Sequence, residues 1–432
     1  MSRRLNKTGF IPGHIHVFLV VGVTFFALLA SAGLRAAPGV LLRPLQTDFG
    51  WDRSVISLGA AIGIFLYGMV GPFAAALMVQ IGIRRTMLGG LLLMAAATFS
   101  SLWMHLPWQF IASWGVLSGL GSGAVAAVLG AAIVNRWFAT RQGLIMGLLS
   151  ASTATGSLIF LPFMAWLSRD MAWRPVVLAV SLACMVLVPI VWLAVPERPS
   201  DIGVSRFGEK PGHIPAASRQ VPSASLAIDV LLRAARKPIF WLLFGTFFVC
   251  GLTTNGLVGV HMIAFCGDHG VAPVAAASLM SMMGFFDLFG TTASGWLTDR
   301  FNPRLLLIFY YGLRGLSLMA LPFLDFNSVN LMAFSVFYGL DWIATVPPTV
   351  QLTNKAFGER DSPIVFGWVF SGHQMGAATA AFGAGFIRQE TGTYMPAFVG
   401  AGAFAVICAI ILLVSMLRAG RVQDASLSTT QH

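Results

Sequence analysis

The chain has 432 residues, of which 57% are hydrophobic and 10% are charged, and its mean hydropathy is +0.80. This composition excludes a soluble domain and predicts an integral membrane protein that spans the lipid bilayer. The net charge of +11 would suit a nucleic-acid partner only on a soluble basic module, so no nucleic-acid partner is expected, and the basic residues are interpreted as topology signals.

Twelve apolar segments have the length of about 20 residues that a membrane span needs. The predicted spans are 15–42, 54–79, 87–105, 108–134, 142–168 and 174–195, followed by 239–266, 273–298, 304–324, 328–352, 363–387 and 393–417. The first span follows Arg3, Arg4 and Lys7, and because no small-residue cleavage site comes after it, we interpret it as a retained helix.

A polar stretch rich in Pro, Ser, Gly and basic residues separates the sixth and seventh spans. Its composition is typical of a linker. We therefore predict an N-terminal six-helix half over residues 1–195, a linker over 196–238, and a C-terminal six-helix half with a tail over 239–432.

Most of the 27 Lys and Arg residues fall in the N-terminus, the linker and the even-numbered loops. Because cytoplasmic loops carry an excess of these residues, both termini and the linker are predicted to be cytoplasmic. The four cysteines lie in apolar segments without metal-ligand spacing. No metal site and no cofactor is expected, and the cysteines are interpreted as helix-packing residues.

The two halves carry loops of related sequence at the same place. Ile81-Gly-Ile-Arg84-Arg85 joins the second and third spans, and Asp299-Arg300-Phe-Asn-Pro-Arg304 joins the eighth and ninth. Such a repeat of six helices about a central linker is typical of secondary transporters, whose substrate site lies near the midplane between the halves.

The stretch from Gly295 through Asp299 and Arg300 to Arg304 resembles the signature loop of the major facilitator superfamily, G-x-L-x-D-R-x-x-x-R. The first-half copy departs from that pattern, with Val79 and Gln80 in place of Asp-Arg. The resemblance implies the major facilitator fold, all-α with two pseudo-symmetric halves. It also implies gating roles for a set of loop residues. These are Gly295, Asp299, Arg300, Arg304, Arg84 and Arg85.

Two further stretches, residues 38–54 and 135–147, resemble bacterial members of the monocarboxylate transporter group, which includes oxalate/formate antiporter relatives. This resemblance implies a secondary active transporter, not an enzyme, located in the bacterial cytoplasmic membrane. It would move a small organic anion together with protons by alternating access, and we expect it to be a monomer.

Two charged residues lie deep within predicted spans. Asp287 precedes Asp299 by twelve residues, or about 18 Å of helix, and Arg314 follows Arg304 by ten, or about 15 Å, so both are near mid-membrane. Because intramembrane charges are costly, they are paired or functional. Either the two form an interhelical ion pair, or Asp287 exchanges protons while Arg314 binds substrate or acts as its counter-ion.

The monocarboxylate transporter resemblance implies an arginine one turn after Asp287, where this chain has Thr291. The cation that binds the anion would therefore come from Arg314 or from Arg35. Arg35 precedes Pro38-Gly39, which is predicted to interrupt the first helix, and a guanidinium there suits bidentate capture of a carboxylate. The alternative is a structural Arg35 whose side chain extends to the outer surface.

Other polar residues within the spans are candidates with alternatives still open. Asp341 is a second possible proton site or a partner of Arg314. His373 can titrate or donate to an anion, although a lone intramembrane histidine is often a packing residue. The remaining candidate substrate contacts are Trp342, Asn255, His261 and Tyr67, of which His261 could equally be an interfacial histidine.

Two other functional classes have recognisable sequence markers. A proton-antiporting exporter of drugs or metabolites usually carries an arginine in the fourth span and a Gly-Pro-rich motif in the fifth, and both are missing, although export of an organic acid stays open. An enzyme would need a catalytic constellation, and neither Gly-x-Ser-x-Gly nor His-Glu-x-x-His occurs.

Overall fold

The computed structural model describes residues 13–51, 53–168, 172–209 and 225–429. Arg3, Arg4, Lys7 and the central part of the predicted linker lie outside the described residues. Helices α1 to α6 are Gly13–Phe49, Arg53–Gln80, Ile83–Ser100, Pro107–Trp137, Gln142–Leu167 and Arg174–Ala194. Helices α7 to α12 are Pro238–Asp268, Pro273–Thr298, Pro303–Ala320, 328–357, 359–391 and Met395–Thr429.

Within the described residues, nine helical runs are long and apolar enough to cross a membrane, and one of them, Ser328–Thr391, contains both α10 and α11. Helices α5 and α8 have 26 residues each, which is about 39 Å of helix and also sufficient to cross. The prediction of twelve transmembrane helices in two halves is therefore confirmed.

Gly358 separates α10 from α11. Its φ of 76° and ψ of 161° lie outside the helical region, and glycine adopts a positive φ at little steric cost because it has no Cβ. Helix α10 is also interrupted between Ser328–Asp341 and Val346. Residues 342–345 are called the α10 break below.

The predicted interruption of α1 at Pro38-Gly39 is wrong. The helix continues from Gly13 to Phe49 with Pro38 and Pro44 inside it. Proline is tolerated within membrane helices because local adjustment and neighbouring groups satisfy the freed carbonyl groups. Arg35 therefore projects from an uninterrupted helix.

The two halves touch through α5 with α8 and through α2 with α11. At the first contact, a Cβ added to Gly295 would lie 2.3 Å from the carbonyl oxygen of Gly143. At the second, a Cβ on Gly367 would lie 2.6 Å from Cα of Pro72. These contacts require residues without side chains, which explains why glycines recur along the interface.

Candidate functional site

A cavity of about 950 Å³ lies between the two halves. Its lining comes from α1, α2, α4 and α5 in one half and from α7, α10 and α11 in the other. Most lining positions fall near the middle of these helices, and those of α5, from Met146 to Ser152, lie closer to its start at Gln142. A central cavity shared by two repeats is where a secondary transporter holds its substrate.

The linker end of the bundle is closed beneath this cavity by polar contacts. The carboxylate of Asp299 accepts hydrogen bonds from the backbone N–H groups of Gly143 (2.7 Å) and Leu144 (2.9 Å), at the N-terminus of α5. Asn135 and Asn354 exchange two amide hydrogen bonds of 2.9 and 2.6 Å between the halves. These contacts join the two halves at the linker end of the cavity.

Arg35 is the one formally charged side chain among the described residues that line the cavity. Its Nη1 donates to Ser31 Oγ at 2.8 Å, and its guanidinium lies 4.0 Å from the centre of the Tyr67 ring. These contacts orient the group while leaving most of its donors to the cavity, because a guanidinium has five N–H groups. Arg35 thus lines the cavity, with its guanidinium held by Ser31 and Tyr67.

Arg314 is fully buried and does not line the cavity. Its Nε donates to Asp341 Oδ2 at 2.5 Å, and its Nη1 contacts Cys250 Sγ at 3.1 Å. Of the two partners considered for Arg314, the structure therefore pairs it with Asp341 and not with Asp287. By depth along the helices, Arg314 could pair with either Asp287 or Asp341. Arg314 on α9 faces α10, and this orientation produces the pair with Asp341.

The α10 break is held by side chains from two neighbouring helices. Nη2 of Arg314 donates to the carbonyl oxygens of Asp341 and, at 3.1 Å, of Trp342. Ser294 Oγ donates to the carbonyl of Ala344 at 2.5 Å. Buried backbone groups freed from a helix are costly unless they find partners. The buried arginine therefore stabilises an unwound segment whose residues Trp342 and Ile343 line the cavity.

Asp287 lies behind the same break. Its Oδ1 accepts from Thr291 Oγ1 at 2.5 Å and from the backbone N–H of Ile343 at 3.1 Å, whereas its Oδ2 has no hydrogen-bond partner in the described part of the chain. The residue is completely buried and is outside the cavity lining. Among the residues that the structure describes, an ionised carboxylate at this position would be a buried charge without an ion-pair partner, which is energetically costly.

Several other predicted residues do line the cavity, namely Tyr67, Asn255, Trp342 and His373. Asn255 is exposed within the π-helical turn Leu252–Val258 of α7, a distortion that is frequent at functional sites. Tyr338 stabilises this turn, because its hydroxyl donates to the carbonyl oxygen of Thr253 at 2.9 Å.

His261 lies outside the cavity lining. Its Nε2 is 2.9 Å from the carbonyl oxygen of Ala381 and its Nδ1 is 3.3 Å from the hydroxyl oxygen of Tyr394. Both ring nitrogens are thus engaged within the second half. This arrangement corresponds to helix packing.

The remaining residues of the second-half signature loop have local contacts. Arg300 stacks on Trp296 at 3.8 Å and donates to its carbonyl oxygen at 3.2 Å. The backbone N–H of Arg304 donates to the Asn302 side chain at 3.0 Å. Of the loop's charged side chains, it is therefore Asp299 that joins the two halves.

In the first half, Arg84 and Arg85 begin α3. The carboxylate of Glu197 accepts from the backbone N–H groups of Ile83 (2.6 Å) and Arg84 (3.0 Å). This is an N-terminal cap of α3. Arg84 itself extends over the ring of Trp192, 5.2 Å from its centre.

Cys250 and the Asn135–Asn354 pair were not predicted. Cys250 was interpreted as a packing residue, yet it lines the cavity and contacts both Arg314 and Thr345. Its apolar surroundings in the sequence give no signal of these contacts. Asn135 precedes Arg136 at a predicted span end, and its polarity there was the available signal.

Comparisons with known proteins agree with this architecture. The family model described as Major Facilitator Superfamily matches residues 24–363 and 267–430. Monocarboxylate transporter 13 of Rattus norvegicus is 28% identical, over 92% of this chain and 88% of the relative. The uncharacterized MFS-type transporter YcxA of Bacillus subtilis (strain 168) is 24% identical, over 93% of this chain and 95% of the relative.

Solved structures show the same fold. The E. coli fucose:proton symporter FucP superposes with a TM-score of 0.68 at 18% identity, covering 93% of this chain and 99% of its own. The human organic anion transporter MFSD10 has a TM-score of 0.68 at 15% identity, covering 93% of this chain and 100% of its own. At these identities the likeness bears on the fold alone. Because the family model spans both halves, the chain belongs to the Major Facilitator Superfamily and is a multi-pass membrane transporter.

Proposed function

We propose that this protein transports an organic monocarboxylate across the bacterial cytoplasmic membrane by proton-coupled alternating access. The observation that carries the proposal is Arg35, the single formal charge among the described residues around a cavity shared by both halves. One guanidinium in a largely apolar site favours a monoanion. Relatives named monocarboxylate transporter support the same substrate class.

The sidedness of the proposal follows from the basic loops. If the linker is cytoplasmic, the contacts of Asp299 and of the Asn135–Asn354 pair close the cytoplasmic side. The structure then corresponds to an outward-facing conformation. Transport would require these contacts to break while the halves rotate about the central site, each half moving largely as a rigid body.

Proton coupling is assigned to Asp287. Its bond to the backbone of Ile343 connects it to the α10 break, and Ile343 and Trp342 line the cavity. Protonation of Asp287 removes the free-energy cost of a buried charge. A bound substrate that moves the α10 break changes the surroundings of the Asp287 carboxylate and therefore changes this cost. The coupling between proton and anion is then reciprocal. In this proposal Asp341 and Arg314 have a structural role, because each is the other's ion-pair partner.

The test is uptake of radiolabelled monocarboxylates into proteoliposomes under an imposed pH gradient. Arg35→Ala should abolish saturable uptake. Arg35→Lys should raise KM, because lysine keeps the charge but lacks the two parallel N–H groups with which a guanidinium binds a carboxylate. The matched control is Arg174→Ala, since Arg174 is an exposed first-half arginine outside the cavity lining, with a loose 3.7 Å ion pair. Normal uptake by Arg35→Ala would refute anion binding at this residue.

Asp287→Asn should lose acceleration by the pH gradient while retaining exchange of substrate across the membrane. The amide can still accept from Thr291 and Ile343, so the fold of the site is preserved. The measurement is initial uptake with and without the gradient, with exchange into preloaded liposomes as the second readout. Gradient-driven uptake at the unsubstituted level would remove Asp287 from the coupling mechanism.

A further inference from the structure

The cavity is large for a small acid. Its volume of about 950 Å³ is near the upper end of the range of about 300–1,000 Å³ that suits drug-sized ligands. A three-carbon acid bound at Arg35 would leave most of this space as water. The volume therefore favours a substrate with a sizeable body attached to its carboxylate.

The walls of the cavity identify the chemistry of that body. Phe65 on α2 is 60% exposed and Phe382 on α11 is 78% exposed, and both line the cavity. They come from opposite halves, and Met375 adds a third exposed apolar side chain. Apolar surface that is exposed in a binding cleft favours an apolar ligand, because binding removes both surfaces from water.

A row of rings connects Arg35 in one half to His373 in the other. Arg35 lies on Tyr67, and the Tyr67 ring meets Phe370 edge-on at 5.5 Å. Phe370 is stacked on His373 at 5.7 Å with an interplanar angle of 5°. All four residues line the cavity. Tyr67 and Phe370 are each 7% exposed, and this exposed part of the row can meet a planar ring bound along it, because aromatic pairs prefer offset or edge-to-face arrangements.

The far end of the row carries an unused polar atom. His373 is 8% exposed, and its Nδ1 has no hydrogen-bond partner among the described residues. A buried polar atom without a partner is energetically costly. The atom is buried in this conformation, so a ligand hydroxyl reaches it once the His373 ring turns about its Cβ–Cγ bond. The hydroxyl then satisfies either tautomer, because it both donates and accepts.

We propose that the substrate is an aromatic monocarboxylate whose ring carries a hydroxyl group at the end remote from the carboxylate. Arg35 binds the carboxylate, the row of rings and the exposed phenylalanines enclose the ring, and His373 Nδ1 binds the hydroxyl. A second carboxylate is disfavoured, since the described lining residues include no second formal cation. This inference rests on the proposed function and narrows its substrate class.

The test is ligand binding by purified protein at one fixed pH, by calorimetry, with four probes. These are para-hydroxyphenylpropionate, phenylpropionate, lactate and succinate. We expect the hydroxylated aromatic acid to bind about tenfold more tightly than phenylpropionate, which is the effect of one net hydrogen bond. Lactate and succinate should bind more weakly than either aromatic acid.

Variants at His373 separate recognition from packing. His373→Phe keeps a ring beside Phe370 and removes both nitrogens, so it should bind the two aromatic acids equally. His373→Gln should retain part of the preference. His261→Phe is the matched control, because this second-half histidine lies outside the cavity lining. It should keep the full tenfold difference.

The outcomes distinguish this inference from the proposal beneath it. Tighter binding of lactate or succinate than of phenylpropionate overturns the aromatic class while leaving an organic-anion transporter. A hydroxyl preference that persists in His373→Phe overturns the role of His373. Absence of binding to all four acids, in protein that binds a neutral sugar or a cation, overturns the proposed function and this inference with it.

Discussion

The contact of Asp299 with α5 makes a quantitative prediction about the conformational equilibrium. Its carboxylate accepts two backbone hydrogen bonds from the first turn of a helix in the other half. Hydrogen bonds to charged groups contribute about 1.5–3 kcal/mol each to stability. At a partly exposed site the net loss is smaller, because water can bind the groups whose hydrogen bonds are broken. Asp299→Ala should therefore weaken the closed state by about 2 kcal/mol, or about 30-fold in the ratio of the two states.

The assay is the distribution of spin-label distances between Cys substitutions at Arg85 and Leu305, exposed positions at the linker end of the two halves. The four native cysteines are buried, and the protein without the added cysteines measures their background labelling. A 30-fold change would convert a 99:1 ratio of closed to open molecules to about 3:1, which gives a visible second distance.

Arg300→Ala is the matched control for this measurement. Arg300 is the next residue of the same loop, but its side chain contacts Trp296 of its own helix. The distance distribution of this variant should equal that of the unsubstituted protein. If Asp299→Ala leaves the distribution unchanged while Arg300→Ala broadens it, the carboxylate cap is not what closes this end.

Two further predictions concern packing at the interface and in the second half. Gly295→Ala should open the linker end in the same distance measurement, because its new methyl group would lie 2.3 Å from the Gly143 carbonyl oxygen, whereas Gly89→Ala, with nothing within 4 Å, should not. Arg314→Ala should lower the thermal unfolding midpoint strongly, since removing one member of a buried ion pair costs about 3–5 kcal/mol. Replacing both members together, Arg314→Met with Asp341→Leu, should restore part of the midpoint, and a midpoint unchanged in Arg314→Ala would contradict the structural role.

The sequence predicts the helices better than their ends. The eighth span, 273–298, coincides with Pro273–Thr298, because a proline marks its start and a charged turn marks its end. The first span was predicted to end at residue 42, yet α1 continues to Phe49. Hydropathy reports where a helix leaves the apolar layer, and a helix can continue in water beyond that point.

The sequence predicts the membrane depth of the charged residues of the candidate site, but not the helix that each side chain faces. Helical rise places Asp287, Arg314 and Asp341 at similar heights, but it does not determine which helix faces which. The structure pairs Arg314 with Asp341 and leaves Asp287 bound to Thr291 and Ile343. The α10 break decides this arrangement. The signal for it in the sequence is Pro347-Pro348, because prolines lack the N–H that would continue the helix and are favoured at its first positions.

The altered first-half loop shows how the repeat is completed by different chemistry. In the second half, Asp299 of the loop between α8 and α9 binds the start of α5 across the interface. The equivalent first-half loop has Val79 and Gln80 in place of the acidic-basic pair and would face the start of α11, its repeat-related helix. There the first turn of α11 supplies the acidic groups itself, at Glu359 and Asp361.

Basic side chains of the predicted linker bind these acidic groups. Arg206 donates to both carboxylate oxygens of Glu359 at 2.9 Å and also to the carbonyl oxygen of Phe138 at 2.8 Å, which joins α11 to the end of α4. Arg233 binds Asp361 at 2.8 Å. Because acidic groups at a helix N-terminus already interact favourably with its dipole, the arginines add a bridge between the halves. At the start of α11, the linker therefore provides a contact between the halves that corresponds to the contact of Asp299 with the start of α5. In our proposal, closure of the cytoplasmic side depends on both contacts.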